Sequence, residues 1–153
     1  MKYLPVGLDV RGRICIVVGG GRIGTRKVTN LLRAGASVTV ISPEASDEVK
    51  QLADSGEIEW REKEYATEDL EGSFLAVAAT NDDERNAQLV RDAVEGGVLV
   101  CDASSASRSD LIFGALHKRE GITLAVFTDG KDPSLARRTR DRIARLGPEW
   151  DET

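Results

Sequence analysis

The sequence predicts an α/β protein built on an open, mostly parallel β-sheet. Short runs of apolar, β-branched residues alternate with segments of helical periodicity, a pattern typical of parallel strands buried on both faces. A glycine-rich turn separates the first such strand from the first helix. The chain has 153 residues, of which 41% are hydrophobic, so it is long enough to bury a real core.

The first three elements are the clearest. Residues 14–18 (Ile-Cys-Ile-Val-Val) predict a buried strand, and residues 25–34 carry apolar side chains at helical spacing. Gly35 is well placed to end that helix, and residues 37–41 predict the second strand. Together they form a βαβ unit, which is the context that a glycine-rich phosphate loop requires.

The remaining elements follow a weaker version of the same pattern. Up to Asp102 we predict a helix over 47–55 capped by Ser46, strands at 58–60 and 74–79, a helix over 82–95 and a strand at 98–101. After Asp102 we predict a polar loop, strands at 111–113 and 122–127 around a turn at 118–121, and a helix from about Pro133 to Leu146. The alternation implies helices on both faces of the sheet.

The glycine turn has the spacing GxGxxG, with Gly19, Gly21 and Gly24 at the fixed positions. In that pattern the first glycine allows the tight turn and the second lets a pyrophosphate approach the backbone. The third lets the helix pack close to the strand, and the helix N-terminus offers unpaired N–H groups to the phosphates. Because the pattern lies between a strand and a helix, it favours a Rossmann-type dinucleotide site. The other interpretation, a glycine-rich turn that binds no ligand, is less favoured.

The choice of dinucleotide depends on the end of the second strand. Glu44 follows Gly24 by the spacing expected for the acidic residue that binds the ribose hydroxyls. Ser42 and Pro43 precede it, and no Arg or Lys follows at once to hold a 2′-phosphate, so NAD is favoured over NADP. Thr80, after the strand at 74–79, is expected at the same sheet edge and is a further cofactor contact.

Composition excludes several classes of function. The formal net charge of −5 argues against nonspecific nucleic-acid binding. No apolar run is long enough to span a membrane, and the N-terminus does not resemble a signal peptide. Cys15 and Cys101 lie in predicted core strands, so we expect a cytoplasmic protein without a disulfide framework. His117 is alone, and no residue spacing predicts a metal site.

One basic segment stands out against the acidic average. Its members are Arg137, Arg138, Arg140, Arg142 and Arg145. A solvated helix face explains them, and so does a site for a polyanionic ligand; the sequence leaves both interpretations open.

With these elements placed, the chain resembles the dehydrogenase module of the siroheme synthases, the precorrin-2 dehydrogenase and sirohydrochlorin ferrochelatase family. The resemblance runs from Tyr3 to Leu146, and the blocks that carry it are 17–21 with 26–28, 32–36, 78–82 and 132–137. The last block (Asp-Pro-Ser-Leu-Ala-Arg) is the most specific.

The resemblance implies a function and an assembly. It implies NAD-dependent oxidation of precorrin-2 to sirohydrochlorin by a homodimer, with an NAD-binding domain over 1–112 and a small α+β dimerisation element over 113–153. It implies cofactor contacts at Arg22, Ile23, Pro43 and Glu44. Precorrin-2 carries many carboxylates, so an acidic protein needs local cations to bind it. The candidate residues for that contact are Lys118, Arg137 and Arg138, with Arg119 and Arg140 beside them.

The sequence departs from the family at the proposed catalytic residue. Ser104 stands where the family's acid–base Asp is expected. Asp102 lies two residues earlier, and on an extended chain it faces the same way from roughly 6.6 Å. Asp102 could serve the same cleft as the base, or it could cap the loop through hydrogen bonds to nearby N–H groups. Both interpretations stay open, and Asp110 is a weaker candidate.

Two function classes therefore compete. The first is an NAD-dependent precorrin-2 dehydrogenase, in which Asp102 and Ser104 are the candidate catalytic residues. The second is an impaired NAD- or tetrapyrrole-binding carrier or regulatory module. The sequence stops before the family's further helical domain. We therefore regard ferrochelatase activity as doubtful.

Overall fold

The computed structural model describes residues 1–119 and 121–146, and the chain divides into two compact units. Gly7–Leu111 form the larger unit. Met1–Val6 and the chain from Ile112 onward form the smaller one.

The larger unit is a five-stranded parallel sheet in the order β3-β2-β1-β4-β5. Its elements are β1 (Ile14–Gly20), α1 (Arg22–Arg33), β2 (Ser37–Ala45), α2 (Asp47–Asp54), β3 (Glu59–Arg61), a 3₁₀ turn (Thr67–Leu70), β4 (Leu75–Ala78), α3 (Asp83–Glu95) and β5 (Leu99–Asp102). This strand order is that of the Rossmann fold, so the predicted fold class is confirmed.

The central strands are apolar because both of their faces are covered. Ile16 and Val18 of β1 pack in one cluster with Leu89 and Ala93 of α3. The alternate residues of β1 are buried as well, and α1 packs against β1 and β2. A strand covered on both sides has no polar face, which explains the continuous apolar run in the sequence.

Local capping sets the helix boundaries. The Ser46 hydroxyl accepts a hydrogen bond from the Val49 N–H at 3.3 Å, which confirms the predicted cap of α2. The Asp82 carboxylate caps α3 in the same way, so that helix begins one residue later than predicted. Gly35, with φ at +82°, follows the last residues of α1 in a conformation that favours glycine.

The smaller unit contains an antiparallel hairpin and one helix. The elements are β6 (Ala115–Arg119), β7 (Ile122–Val126) and α4 (Pro133–Arg145). Asp132 caps α4 by accepting from the Leu135 N–H at 2.8 Å, and proline occupies the first turn, as the helix-start pattern predicts. Glu120, which is part of the predicted turn, lies outside the described residues.

The predicted strand at 111–113 is wrong, because β6 begins only at Ala115. The Asp110 and Leu111 N–H groups both donate to the Val100 carbonyl, and the Asp110 carboxylate accepts from the Val100 N–H at 3.0 Å. These bonds tie the start of the segment to β5 in the larger unit. The apolar residues that follow therefore do not form the first hairpin strand.

Candidate dinucleotide-binding site

The turn between β1 and α1 leaves no room for side chains at the first and last glycines of the GxGxxG pattern. Gly19 has φ at +112°, and a Cβ there would overlap the backbone of Ala79. A Cβ on Gly24 would overlap the Gly19 carbonyl oxygen inside the same turn. The close approach of helix to strand that the glycine spacing predicts is therefore present in the structure.

The middle glycine, Gly20, has a structural role that the sequence pattern does not show. A Cβ at this position would lie 2.6 Å from the Glu44 carbonyl oxygen and 2.8 Å from the Ala45 Cα. This close approach coincides with a register shift in the pairing of β1 with β2. As a result β2 runs on to Ala45, and Ser42, Pro43 and Glu44 lie within the strand, whereas the sequence placed its end near Ser42.

Gly21 is the one glycine of the turn that no described neighbour explains. Its φ of −80° suits any residue, and no described atom lies within 4 Å of the position that a Cβ would take. A Cβ there would project into open space at the N-terminus of α1. That is the space a pyrophosphate needs if it is to reach the helix N–H groups, so the loop fits a dinucleotide.

A cleft of about 590 Å³ lies at the carboxyl ends of β1, β2 and β4. It falls within the usual range for a small-molecule site, and ligands bind at this edge in open parallel sheets. The lining residues include the predicted contacts Gly19, Gly21, Ser42, Pro43, Glu44 and Thr80.

The other three predicted cofactor residues lie beside the cleft. Gly24 is buried in the contact between helix and strand, and the Ile23 side chain is exposed. Arg22 lines an adjoining open depression together with Arg26 and Arg33, so α1 carries a basic face along its length. The charge of Arg22, in the first turn, adds to the positive end of the helix dipole.

The opposite wall of the cleft includes Tyr65. Its hydroxyl donates to the Asp92 carboxylate at 2.9 Å. Burial, reinforced by that hydrogen bond, raises the pKa of Tyr65 above its ordinary value. The phenol therefore stays neutral, and Tyr65 contributes an uncharged surface to the cleft.

The loop after β5 is organised around a buried carboxylate, because the Asp102 side chain is 0% exposed. One of its oxygens accepts from the Ser104 N–H at 2.8 Å, the Ser104 hydroxyl at 2.6 Å and the Ser105 N–H at 3.2 Å. The other accepts from Arg108 Nε at 2.7 Å. A side chain enclosed in this way cannot itself touch a substrate, which favours loop capping over direct base catalysis.

Arg108 connects that loop to the start of α3. Its guanidinium pairs with both Asp102 and Asp83, and these carboxylates, Asp83 first, raise the pKa of Arg108. The same hydrogen bonding lowers the pKa of Asp83. The sequence offered no sign of Arg108, since its partners come from two separate loops.

Ser104, unlike Asp102, is exposed. Its Oγ donates to Asp102, and it accepts from Asn86 Nδ2 at 3.3 Å and from Arg108 Nη2 at 3.2 Å. The structure therefore joins the two candidate catalytic residues in one hydrogen-bonded unit. Of the two, Ser104 is the one that a ligand can reach.

The charge balance of this loop predicts a pH-dependent effect of Ser104→Asp. Ser104 Oγ lies 2.6 Å from the Asp102 carboxylate and 3.5 Å from that of Asp83. A third carboxylate beside one guanidinium has its pKa raised above the unfolded value of about 3.9. We expect the free energy of unfolding to fall by about 1–2 kcal/mol at pH 7.

The penalty of Ser104→Asp disappears as the pH falls through the raised pKa, because the protonated group carries no charge. Urea unfolding of parent and variant between pH 7 and pH 4 measures this convergence. Ser104→Asn is the neutral control of similar size. A penalty for Ser104→Asp that stays constant with pH would contradict the electrostatic explanation.

The predicted substrate cations all lie in the smaller unit. Lys118 is exposed on β6, and Arg137 and Arg138 are exposed on α4. Arg138 donates to the Ser134 hydroxyl at 2.9 Å. Arg140 has a structural contact instead, because its guanidinium donates to the Leu116 carbonyl at 2.8 Å and ties α4 to β6.

In 1–119 and 121–146, no group of three His, Cys, Asp or Glu side chains is arranged to hold a metal ion. No helix in that part of the chain has the length and apolar character needed to cross a bilayer. Cys15 and Cys101 are buried thiols of β1 and β5, and burial raises the pKa of Cys15 to about 11.

Comparison with known proteins agrees with this geometry. Residues 6–115 match the family model NAD_binding_7, which is described as NAD(P)-binding. Siroheme synthases of Photorhabdus laumondii and Methylococcus capsulatus are 38% and 41% identical to this chain over 148 residues. Those matches cover 97% of this chain but only 32% and 31% of the relatives, so the chain spans about a third of their length.

One solved structure is similar over nearly the whole chain. SirC, precorrin-2 dehydrogenase, is 34% identical with a TM-score of 0.83, and the match covers 94% of this chain and 71% of that one. The predicted family resemblance and the predicted nicotinamide dinucleotide cofactor are thereby confirmed. This chain belongs to the NAD_binding_7 family of NAD(P)-binding proteins, and it is similar to SirC, precorrin-2 dehydrogenase, and to a segment of the siroheme synthases.

Proposed function

We propose that this protein oxidises precorrin-2 to sirohydrochlorin with NAD⁺. The observation that carries the proposal is the cleft at the carboxyl ends of β1, β2 and β4, where Gly21 opens toward the N-terminus of α1. The proposed substrate comes from the similarity to SirC, which is described as a precorrin-2 dehydrogenase and matches 94% of this chain. Bound NAD⁺ supplies the acceptor for the hydride that leaves the substrate.

Each side of the cleft has a separate task in this proposal. The N–H groups at the start of α1 hold the pyrophosphate, with Arg22 adding positive charge. Glu44 accepts hydrogen bonds from the adenosine ribose, and Thr80 contacts the nicotinamide half of the cofactor. Holding the cofactor and the substrate in fixed contact then accounts for most of the rate increase.

We assign the proton that leaves the substrate to the loop after β5. Ser104 Oγ accepts that proton on the lone pair that otherwise accepts from Arg108 Nη2 at 3.2 Å, while its own proton passes to the Asp102 carboxylate, 2.6 Å away. A serine needs such a neighbouring acceptor to act as a base. In this arrangement Ser104 is the catalytic residue, and Asp102 acts through it.

We further propose that the exposed cations of the smaller unit bind the substrate carboxylates and that the protein is a homodimer. Lys118, Arg137 and Arg138 supply the positive charge that an acidic protein otherwise lacks. The exposed apolar side chains of Leu116 and Ile122 lie on the hairpin, and burying them against a second copy of the chain would stabilise the assembly. Sedimentation analysis of the intact chain measures the assembly state.

The domain boundaries at 1–112 and 113–153 and the cytoplasmic location stay predictions. The test of function does not require truncating the chain at these boundaries, because the intact chain contains both units.

The test of function is an anaerobic turnover assay of the purified chain with NAD⁺ and precorrin-2. We expect NADH absorbance to appear together with the spectrum of sirohydrochlorin. Adding Fe²⁺ in a second arm tests metal insertion separately. NADH formation without sirohydrochlorin, or no reaction by a protein that binds both ligands, overturns the proposal.

The burial of Asp102 keeps one alternative in view. With the Asp102 carboxylate enclosed, the alternative function is that of an NAD- or tetrapyrrole-binding carrier or regulatory module. NAD⁺ binding without turnover in the same assay supports that function, and rapid turnover excludes it.

Glu44 provides a prediction about cofactor choice. Its exposed carboxylate lines the cleft at the end of β2, where it would repel a 2′-phosphate. We expect the parent to bind NAD⁺ more tightly than NADP⁺, and Glu44→Gln to reduce this preference by about tenfold, which corresponds to about 1.4 kcal/mol.

Titration calorimetry with both dinucleotides measures the preference. Glu48→Gln, an exposed carboxylate on α2, is the control for a general change in surface charge. Equal loss of preference in both variants would mean that the effect does not come from the ribose contact.

A further inference from the structure

Asn86 is a buried polar residue at a position of α3 that faces the core. It is 1% exposed, and Leu89 and Ala93, which follow it at helical spacing, belong to the apolar cluster beneath the sheet. A buried amide is costly unless its hydrogen-bonding groups find partners. Its partners therefore show what the residue does.

Three of the hydrogen bonds of Asn86 go to a single residue, Thr80. Its Oδ1 accepts from the Thr80 N–H at 3.1 Å and from the Thr80 hydroxyl at 2.7 Å, and its Nδ2 donates to the Thr80 carbonyl at 3.1 Å. Because the N–H can only donate and the carbonyl can only accept, these bonds fix the orientation of the amide. Asn86 thus clamps the backbone of Thr80 on both sides.

The clamp acts where the cofactor cleft is formed. Thr80 follows β4 and lines the cleft together with Asn81. The regular sheet pairing of β4 ends at Ala78, and the Ala79 N–H still donates to Val18. Beyond Ala79, the side chain of Asn86 makes the backbone hydrogen bonds to Thr80 that a neighbouring strand would otherwise make.

The fourth hydrogen bond of Asn86 leads to the loop after β5. Its Nδ2 also donates to Ser104 Oγ at 3.3 Å. With Asn86 and Arg108 both donating to that oxygen, the Ser104 proton is left to point at Asp102. One side chain therefore contacts two loops that approach the cleft from neighbouring strands.

We propose that Asn86 is a positioning residue that fixes Thr80 in the cofactor cleft and couples it to the Ser104 hydroxyl. The proposal rests on dinucleotide binding at this cleft and not on the identity of the substrate. Replacing Asn86 by an apolar residue would remove three hydrogen bonds of Thr80 and one of Ser104 at once.

The first measurement is amide hydrogen exchange in the cofactor-free protein. The Thr80 N–H has the Asn86 side chain as its hydrogen-bond acceptor, so we expect Asn86→Ala to speed its exchange by at least about thirtyfold, while the Val77 N–H of β4 stays protected. Equal acceleration at both amides would show general destabilisation and would overturn the proposal. This readout does not depend on the proposed oxidation.

The second measurement is NAD⁺ affinity by calorimetry. We expect Asn86→Ala to raise the Kd by about tenfold, as expected when a contact loop is no longer held in place. Leu89→Val, a core change in the same helix, is the control that destabilises without touching either loop.

The coupling to Ser104 is tested by combining substitutions. We expect Ser104→Ala to raise the Kd in the parent and to change it little once Asn86 is alanine, because the connection is already broken. Additive effects, or an equal loss of affinity in Leu89→Val, would overturn the positioning role. Affinity changes of the expected pattern in a protein that fails to oxidise precorrin-2 would support Asn86 and reject only the proposed function.

Discussion

Gly24→Ala is expected to lower the free energy of unfolding by about 2–3 kcal/mol and to remove most NAD⁺ binding. The added Cβ would overlap the Gly19 carbonyl oxygen, which is backbone and cannot rotate away. Alanine favours a helix by about 1 kcal/mol over glycine, so a simple propensity argument predicts the opposite sign. Urea unfolding measures the stability, and calorimetry measures the binding.

Gly21→Ala is the matched control for Gly24→Ala. It adds the same methyl group three residues earlier, but into open space and at an ordinary backbone conformation. We expect a stability loss below about 1 kcal/mol and a rise of at least about tenfold in the NAD⁺ Kd. If Gly21→Ala binds NAD⁺ like the parent, the pyrophosphate does not lie where the loop indicates.

Ser104→Ala is expected to lower kcat about a hundredfold, the usual contribution of one acid–base group. The substitution removes the exposed oxygen that passes a proton to Asp102, while the Ser104 N–H can still donate to that carboxylate. We therefore expect the KM for precorrin-2 to change little and the folded structure to be kept. Steady-state kinetics with saturating NAD⁺ separates the two constants.

The pH profile of kcat separates proton transfer from loop support. If Ser104 and Asp102 form the proton acceptor, Ser104→Ala removes the acid limb of the profile, and Ser104→Thr restores both the limb and the rate. Ser107→Ala, at an exposed serine of the same loop, is the control. An unchanged kcat in Ser104→Ala would leave Asp102 as a structural cap and remove Ser104 from the mechanism.

These experiments probe parts of the molecule that differ in how readily the sequence reveals them. The parallel sheet was predictable because strands buried on both faces must be apolar throughout, and residues 14–18 and 74–79 show this directly. The glycine loop was predictable because its spacing meets a local steric requirement. The roles of Gly19 and Gly24 depend only on the turn they form.

The strand proposed at 111–113 shows the limit of that approach. Its composition is suitable for a strand, but a strand also needs a partner in register. The hydrogen bonds of Asp110 and Leu111 with Val100 hold this part of the chain against β5 and not in the hairpin. Local composition cannot reveal that contact. The length of β2 was missed for a similar reason, since it depends on the close approach of Ala45 to Gly20.

The site divides in the same way. The sequence by itself determined the fold class and the dinucleotide loop, because each follows from local spacing. Only the tertiary structure decided that Asp102 is enclosed, that Ser104 is the exposed member of the pair and that Asn86 and Arg108 hold their loops. Those roles arise where separate loops meet at one sheet edge, and hydrogen bonds between them depend on distances that no stretch of sequence contains.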